Sequence, residues 1–459
     1  MTRPARTLAI TLAAAASAIA APLAAQDIAI TNATVVTGDG SDPVEGGTVV
    51  VRGGRVVAAG AGVSVPAGMQ AVDGTGLWVT PGLFASNTFL GIYDVEAVED
   101  SNDVSAGGSP FGAALDVSPI VNPASQDILY SRAGGVTRAG VMPQAGSTIF
   151  AGQGAIIDLG SDRDAVMRPR AFQFVELGER GARLAGGSRT SAHALLRNAL
   201  SEARRYGDDP ALTGTSRTRD VRTGDDLPID PRLTGRAERD SDVLLTRFDA
   251  AALVPVVNGS QKLYVTAHRA SDITAVLALK DEFPRLDIVL VGVTEGWMVA
   301  DAIAAAGVPV ITAALNDLPA SFERLGATQS NVGRMVDAGV TVAIGMYESS
   351  GDHPRNLPQQ AGNMVALNKM PGASGLTWGE AFAAISSVPA RIAGVNAGTL
   401  SAGSLGDVVV WDGDPLEVSS APVRVFIDGV EQPMRDHQTQ LRTRYRDLDE
   451  SQMPKAYVR

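Results

Sequence analysis

Apolar and polar positions fall into three regimes along the chain. From Asp27 to Val72, short apolar runs alternate with glycine-rich turns. IAITNATVV, the turn GDGSD and then GGTVVVRGGRVVAAG predict a β-meander with Gly-Gly hairpins. The same style returns near the far end in GDVVVWDGDPL and VRVFIDGVEQ. The two ends are therefore expected to share one small β-sandwich, residues 26–76 and 400–435. Between them, over 77–399, near-continuous apolar runs (VTRAGVMP, AFQFVEL, LYVTAH, DIVLVGVT, VPVITAAL, VTVAIGM) are separated by other segments. HALLRNALSEARRY, SDITAVLALKDEF, GWMVADAIAAAG and WGEAFAAISSVPARIAGV space their apolar residues by three and four. Buried strand followed by amphipathic helix, repeated, predicts an α/β fold: a (β/α)8 TIM-like barrel whose third strand is the least clearly marked. An open doubly wound sheet is the rival, although no Gly-x-Gly-x-x-Gly follows the first strand of the alternating region.

Three segments break this rhythm. The first 25 residues carry Arg3 and Arg6, an apolar run from Leu8 to Ala21 and small residues at Ala24 and Ala25. That is the layout of a secretory signal peptide, and it predicts a periplasmic or secreted protein. A membrane anchor is the alternative, set against a short apolar run followed by polar Gln26 and Asp27; no later segment holds the roughly 18 unbroken apolar residues of a spanning helix. Residues 205–242 are dense in Arg, Asp, Pro, Gly and Thr without either period, and are either a solvated loop or a lid over the barrel mouth. Residues 436–459 form a polar C-terminal tail.

Composition narrows the chemistry. There are no cysteines, so disulfides, thiolate metal sites and cysteine nucleophiles are excluded. The net charge of −12 becomes more negative once Arg3 and Arg6 leave with the leader. With no lysine-rich run, nucleic-acid binding is not expected. Four histidines occur in the whole chain, His193, His268, His353 and His437; His193 on a helix and His437 in the tail read as surface or packing residues.

WVTPGL at the first barrel strand, AGGVTRAGVMPQAGSTIFAGQGAIIDL, the LGE of FVELGERGARLAGGSRTSAHALLRNALSEARRY, YVTAHRASDI, VLVGVTEGWMVADAIAAAGVPVI, TWGEAFAAISSVPARIAGV and GSLGDVVVWDGDPL together resemble the amidohydrolase superfamily, in its imidazolonepropionase-like branch. The resemblance covers nearly all of the chain after the leader. It implies a barrel flanked by a split β-sandwich, hydrolysis of C–N bonds, and one or two divalent metals at the C-terminal mouth. There a zinc-bound water is acidified toward pH 7 and the scissile carbonyl is polarised.

The metal ligands that this resemblance implies are largely missing. At the first strand Ala85 stands in the aspartate's place, Asn87 in the first histidine's and Phe89 in the second's. At the fourth, Glu176 is either a pocket carboxylate or a strand residue in a salt bridge. At the fifth, Thr266 takes a ligand position while His268 remains, either as a general base or as a hydrogen-bonded remnant. At the sixth, Glu295 is the nearest ligand-type group. At the eighth, Tyr347 follows the strand and Glu348, Asp352 and His353 lie just beyond it. The expected catalytic set is therefore His268, Glu295, Asp352 and His353, with Asn87, Phe89, Glu176, Thr266, Tyr347 and Glu348 around the pocket. No cofactor is expected; the alternative is a single Zn held by His268, Glu295 and His353 or Asp352. A serine triad lacks its elbow, since Gly186–Ser188 does not have the Gly-x-Ser-x-Gly spacing. A carboxylate pair from Glu176 and Glu295 has no separation fixed by sequence.

Two functions follow. One is a catalytically reduced paralogue with a degenerate metal site, a pseudoenzyme that binds a small-molecule ligand and either forms a homo-oligomer or joins a catalytically complete amidohydrolase. The other is an active hydrolase of amide, cyclic amide or N-acyl amino acid bonds with a site rebuilt at the barrel mouth.

Overall fold

In a computed structural model of the chain, residues 25–95, 98–208, 243–345 and 353–446 are described. The leader, nearly all of the 205–242 insertion and the end of the tail lie outside them. Five strands open the chain: β1 (Ile28–Val35), β2 (Val44–Arg52), β3 (Arg55–Gly60), β4 (Ala71–Asp73) and β5 (Trp78–Pro81). β2 and β3 form the expected hairpin. Gly53 and Gly54, both at positive φ (55° and 75°), make its two-residue turn between the paired Arg52 and Arg55.

The alternating region supplies β6 (Leu83–Thr88), β7 (Val136–Val141), β8 (Phe150–Asp158), β9 (Val166–Glu176), β10 (Lys262–Ala267), β11 (Ile288–Gly292), β12 (Val310–Thr312) and β13 (Val342–Ile344). After it come β14 (Val408–Trp411), β15 (Pro422–Ile427) and β16 (Val430–Glu431). Strands β6 to β13 form one eight-stranded sheet in sequence order. Its two edges meet where the Asn87 N–H donates to the Gly345 carbonyl at 3.3 Å, so the barrel is nearly closed. Residues from its strands, among them Phe84, Phe172, Phe174, Tyr264, Val289, Val291 and Ile311, join in a single apolar cluster. Within it Phe172 and Tyr264 stack at 4.1 Å between ring centroids.

The third strand departs from the expected repeat. β8 runs antiparallel to both β7 and β9, while the other pairings are parallel. The connections explain it. Residues 142–149 and 159–165 are all that join β8 to its neighbours, too few for a crossover that returns the chain to a parallel start.

The two chain ends come together as expected: hydrogen bonding joins them in one sheet, β16-β15-β14-β5-β1-β2-β3 with β4 on β1. The seam is β5 against β14, with Val79 opposite Val410 and Trp78 opposite Trp411. At the start of the C-terminal tail, Asp436 and Thr439 form a capping box at the head of the helix His437–Tyr445.

A buried ion cluster fastens this sheet to the barrel. Arg138 of β7 is 1% exposed. Its Nε and Nη2 donate to the two oxygens of Asp407 at 2.7 and 2.8 Å, and Nη2 also reaches Asp428 at 2.7 Å. Asp158 lies farther off, 3.9 Å from Nη1. Burial outweighs the attraction of Arg138 and pushes the Asp158 carboxyl up from 3.8 to about 6. Between those values the folded chain keeps a proton that the unfolded chain has lost, so stability falls as pH rises through the window. Asp158→Asn, which can still accept from the Gly160 N–H, is expected to stabilise the protein at pH 8 by up to about 3 kcal/mol. It should also flatten the decline from pH 4 to 6 in chemical denaturation. A variant less stable than wild type at pH 8 would mean that Arg138 needs the third carboxylate.

Candidate functional site

The strands β9 to β11 end at one face of the barrel, where a cavity of about 380 Å³ opens. Phe89, Met142, Phe174, Leu177 and Val291 give it apolar walls. Glu176, Glu179, Arg180, Arg183, Thr266, His268, Ser321, Glu323 and Arg324 give it polar ones. Strand alternation explains the wall at β9 and β10: Phe174 and Glu176, and Thr266 followed by His268, point the same way. Of the expected residues, Phe89, Glu176, Thr266 and His268 come together here.

His268 is 3% exposed. Its ring lies over Gly292, whose missing side chain leaves that space. The next residue, Val293, holds a left-handed φ of 45°, a costly conformation for a β-branched residue. It is anchored by its N–H to the Ala267 carbonyl and by the Asn331 amide on its own carbonyl. Beyond that bend, Thr294 Oγ1 sits 2.8 Å from His268 Nδ1. On the other side Arg324 Nη2 lies 3.1 Å from Nε2. A guanidinium only donates, so Nε2 must accept and Nδ1 carries the proton to Thr294. Burial and the Arg324 charge bring the imidazole down to about 3; it is neutral at any physiological pH.

Glu176 is pushed up by burial, against the pull of Arg180, whose Nε is 3.8 Å away. Both readings of this residue hold at once: it lines the cavity and belongs to an ion pair. Glu295 does not line the cavity. Its Oε2 accepts from the Ala270 N–H at 3.0 Å and its Oε1 from the Gly326 N–H at 2.9 Å, so it ties two backbone segments together where a catalytic carboxylate was expected. His353 also stands elsewhere. Its ring is 5.9 Å from that of Tyr130, and its charge bears on Asp127, which burial raises. Asn87 is fully buried, with both side-chain polar atoms lacking a hydrogen bond among the described residues. Tyr347, Glu348 and Asp352 lie outside the described residues. Arg180, Arg183, Ser321, Glu323 and Arg324 were not foreseen. Only Arg180 left a sequence signal, four positions after Glu176 at the start of the helix Gly178–Leu184.

These donors do not fit a zinc ion. The Nε2 lone pair of His268 is taken by a cation, Glu295 has spent both oxygens on amides, and Phe89 offers no ligand. Among the described residues no group of three His, Asp or Glu side chains is placed to hold a metal.

Comparison with known proteins bears on the fold and on part of the sequence. Residues 274–435 match the family described as the Amidohydrolase family. A 60-residue stretch is 45% identical to amidohydrolase tasK of Hapsidospora irregularis, covering 13% of this chain and only 6% of that protein. The whole fold is similar to the crystal structure of an amidohydrolase from Thermotoga maritima MSB8. The TM-score is 0.73 and the identity 22%, over 89% of this chain and 100% of that one.

Proposed function

We propose that this chain, which matches the amidohydrolase family over residues 274–435, is an amidohydrolase-fold protein that binds a small molecule without metal-dependent hydrolysis. The contact between Arg324 and His268 Nε2 carries the reading. A fixed positive charge stands beside the remaining imidazole, where it would repel a divalent ion and compete for the same lone pair. Asn87 and Phe89 at the first-strand positions act in the same direction. The leader sequence supports export, and association with a catalytically complete relative would supply chemistry this barrel lacks.

A second reading keeps hydrolysis in a rebuilt site. It is favoured by Glu176, a buried carboxyl with a raised pKa beside the Thr266 hydroxyl. One experiment separates the two. Protein purified without chelators and then dialysed against zinc should retain well under one ion per chain by elemental mass spectrometry. It should leave N-acyl amino acids and cyclic amides intact. Stoichiometric zinc, with turnover abolished in His268→Ala, would sink the non-hydrolytic reading; turnover that survives metal removal and is lost in Glu176→Gln would establish the rebuilt site.

A further inference from the structure

The cavity wall contains polar atoms that the protein itself leaves unused. Thr266 is 7% exposed, and its Oγ1 stands beside the Glu176 carboxyl. Ser321 Oγ and Arg180 Nε make no hydrogen bond among the described residues, and both residues line this one cavity. A buried polar atom without a partner costs about 1–3 kcal/mol. Two of them on one wall mark a place prepared for polar atoms from outside the chain.

The sign of the charge on that wall follows from where the carboxylates turn. Glu323 accepts from the Glu179 N–H at 2.6 Å and from Arg189 at 3.2 Å. Glu179 lies 3.9 Å from the same Arg189, which does not line the cavity. Both thus share Arg189 with Asp272, which lies 2.9 Å from its Nε, and among the described residues neither pairs with Arg180 or Arg183. Arg180 donates Nη2 to the Ala145 carbonyl at 2.7 Å, which holds the guanidinium in place without cancelling its charge. Its one carboxylate neighbour, Glu176, is at 3.8 Å, beyond hydrogen-bond length. Arg183, on the rim, has no ion-pair partner among the described residues, and Arg324 adds a third guanidinium to the wall. Phe89, Phe174 and Val291 add an apolar surface to the same cavity.

We infer that the cavity takes a small molecule bearing a carboxylate on an apolar body, the carboxylate meeting Arg180, Arg183 and the Ser321 hydroxyl. Planar guanidinium donors match a carboxylate in bidentate geometry. Three glutamates close by disfavour a dianion such as a phosphate ester. The inference deepens the binding role proposed above and rests on it only in taking the cavity as a ligand site.

Calorimetric titration of the full-length protein tests this with N-acetylphenylalanine and its neutral C-terminal amide. The acid should bind at least about tenfold more tightly than the amide, the scale of a charged hydrogen bond. In Arg180→Gln that preference should fall to within about twofold. Arg183→Gln, an exposed rim change with little bearing on folding, should reduce it in part. Equal binding of acid and amide by the wild type overturns the inference. So does an acid preference untouched in both folded variants, or no binding of N-acetylphenylalanine or phenylacetate at all. Chromatography of the same mixtures reports separately on hydrolysis. Cleaved acetyl groups would overturn the non-hydrolytic reading and leave the carboxylate preference standing.

Discussion

Arg138→Ala is expected to destabilise the protein by about 3–5 kcal/mol, measured as a shift in the denaturation midpoint at constant slope. The loss comes less from the missing attraction than from what remains. Asp407, 1% exposed, would be left as a charge with its guanidinium partner gone, keeping only the Asp428 N–H at 3.0 Å. Arg138→Met with Asp407→Leu should recover much of the loss, because removing both charges also removes their desolvation cost. If the single variant costs under 1 kcal/mol, the cluster is solvated and does not fasten the terminal sheet to the barrel.

Glu295→Ala gives the second large effect, about 3–6 kcal/mol, since two charge-assisted bonds of about 1.5–3 kcal/mol each are lost together. The N–H groups of Ala270 and Gly326 lose their acceptor. Gly326 closes the 3-10 turn region that carries Ser321 and Arg324, so hydrogen exchange should accelerate across residues 315–330 before the rest of the barrel. Glu295→Gln keeps one acceptor oxygen and should recover part of the stability. An alanine variant with wild-type stability and an altered reaction would restore the catalytic role that its sequence position suggests.

Glu295 also shows how far sequence reading carries. Most of the later barrel strands were legible because each is a run of apolar residues with a 3.6-period helix after it, as at Ile288–Gly292. The direction of β8 was not, because FAGQGAIID reads alike both ways; only the shortness of residues 142–149 and 159–165 betrays it. At the site, Glu176, Thr266 and His268 were found because the family resemblance implies ligands at the ends of those two strands. Glu295 was assigned to chemistry because its tether, Gly326, is thirty-one positions away and bonds through backbone. Arg324 escaped notice for the same reason: nothing around ASFERLGA signals that its guanidinium meets a histidine fifty-six residues earlier. Charge partners brought together by loops leave no periodic trace.

The seam between β5 and β14 also sets an order on biosynthesis. β1 to β5 can pair among themselves as soon as residue 81 has left the ribosome. The other edge of Trp78–Pro81 then waits for Val408–Trp411, the whole barrel being made in between. An apolar strand edge with open N–H and C=O groups is a template for the wrong neighbour. For most of its synthesis, then, the nascent chain carries an adhesive edge near its start, and a holdase that shields it would matter more to yield than any factor acting on the barrel.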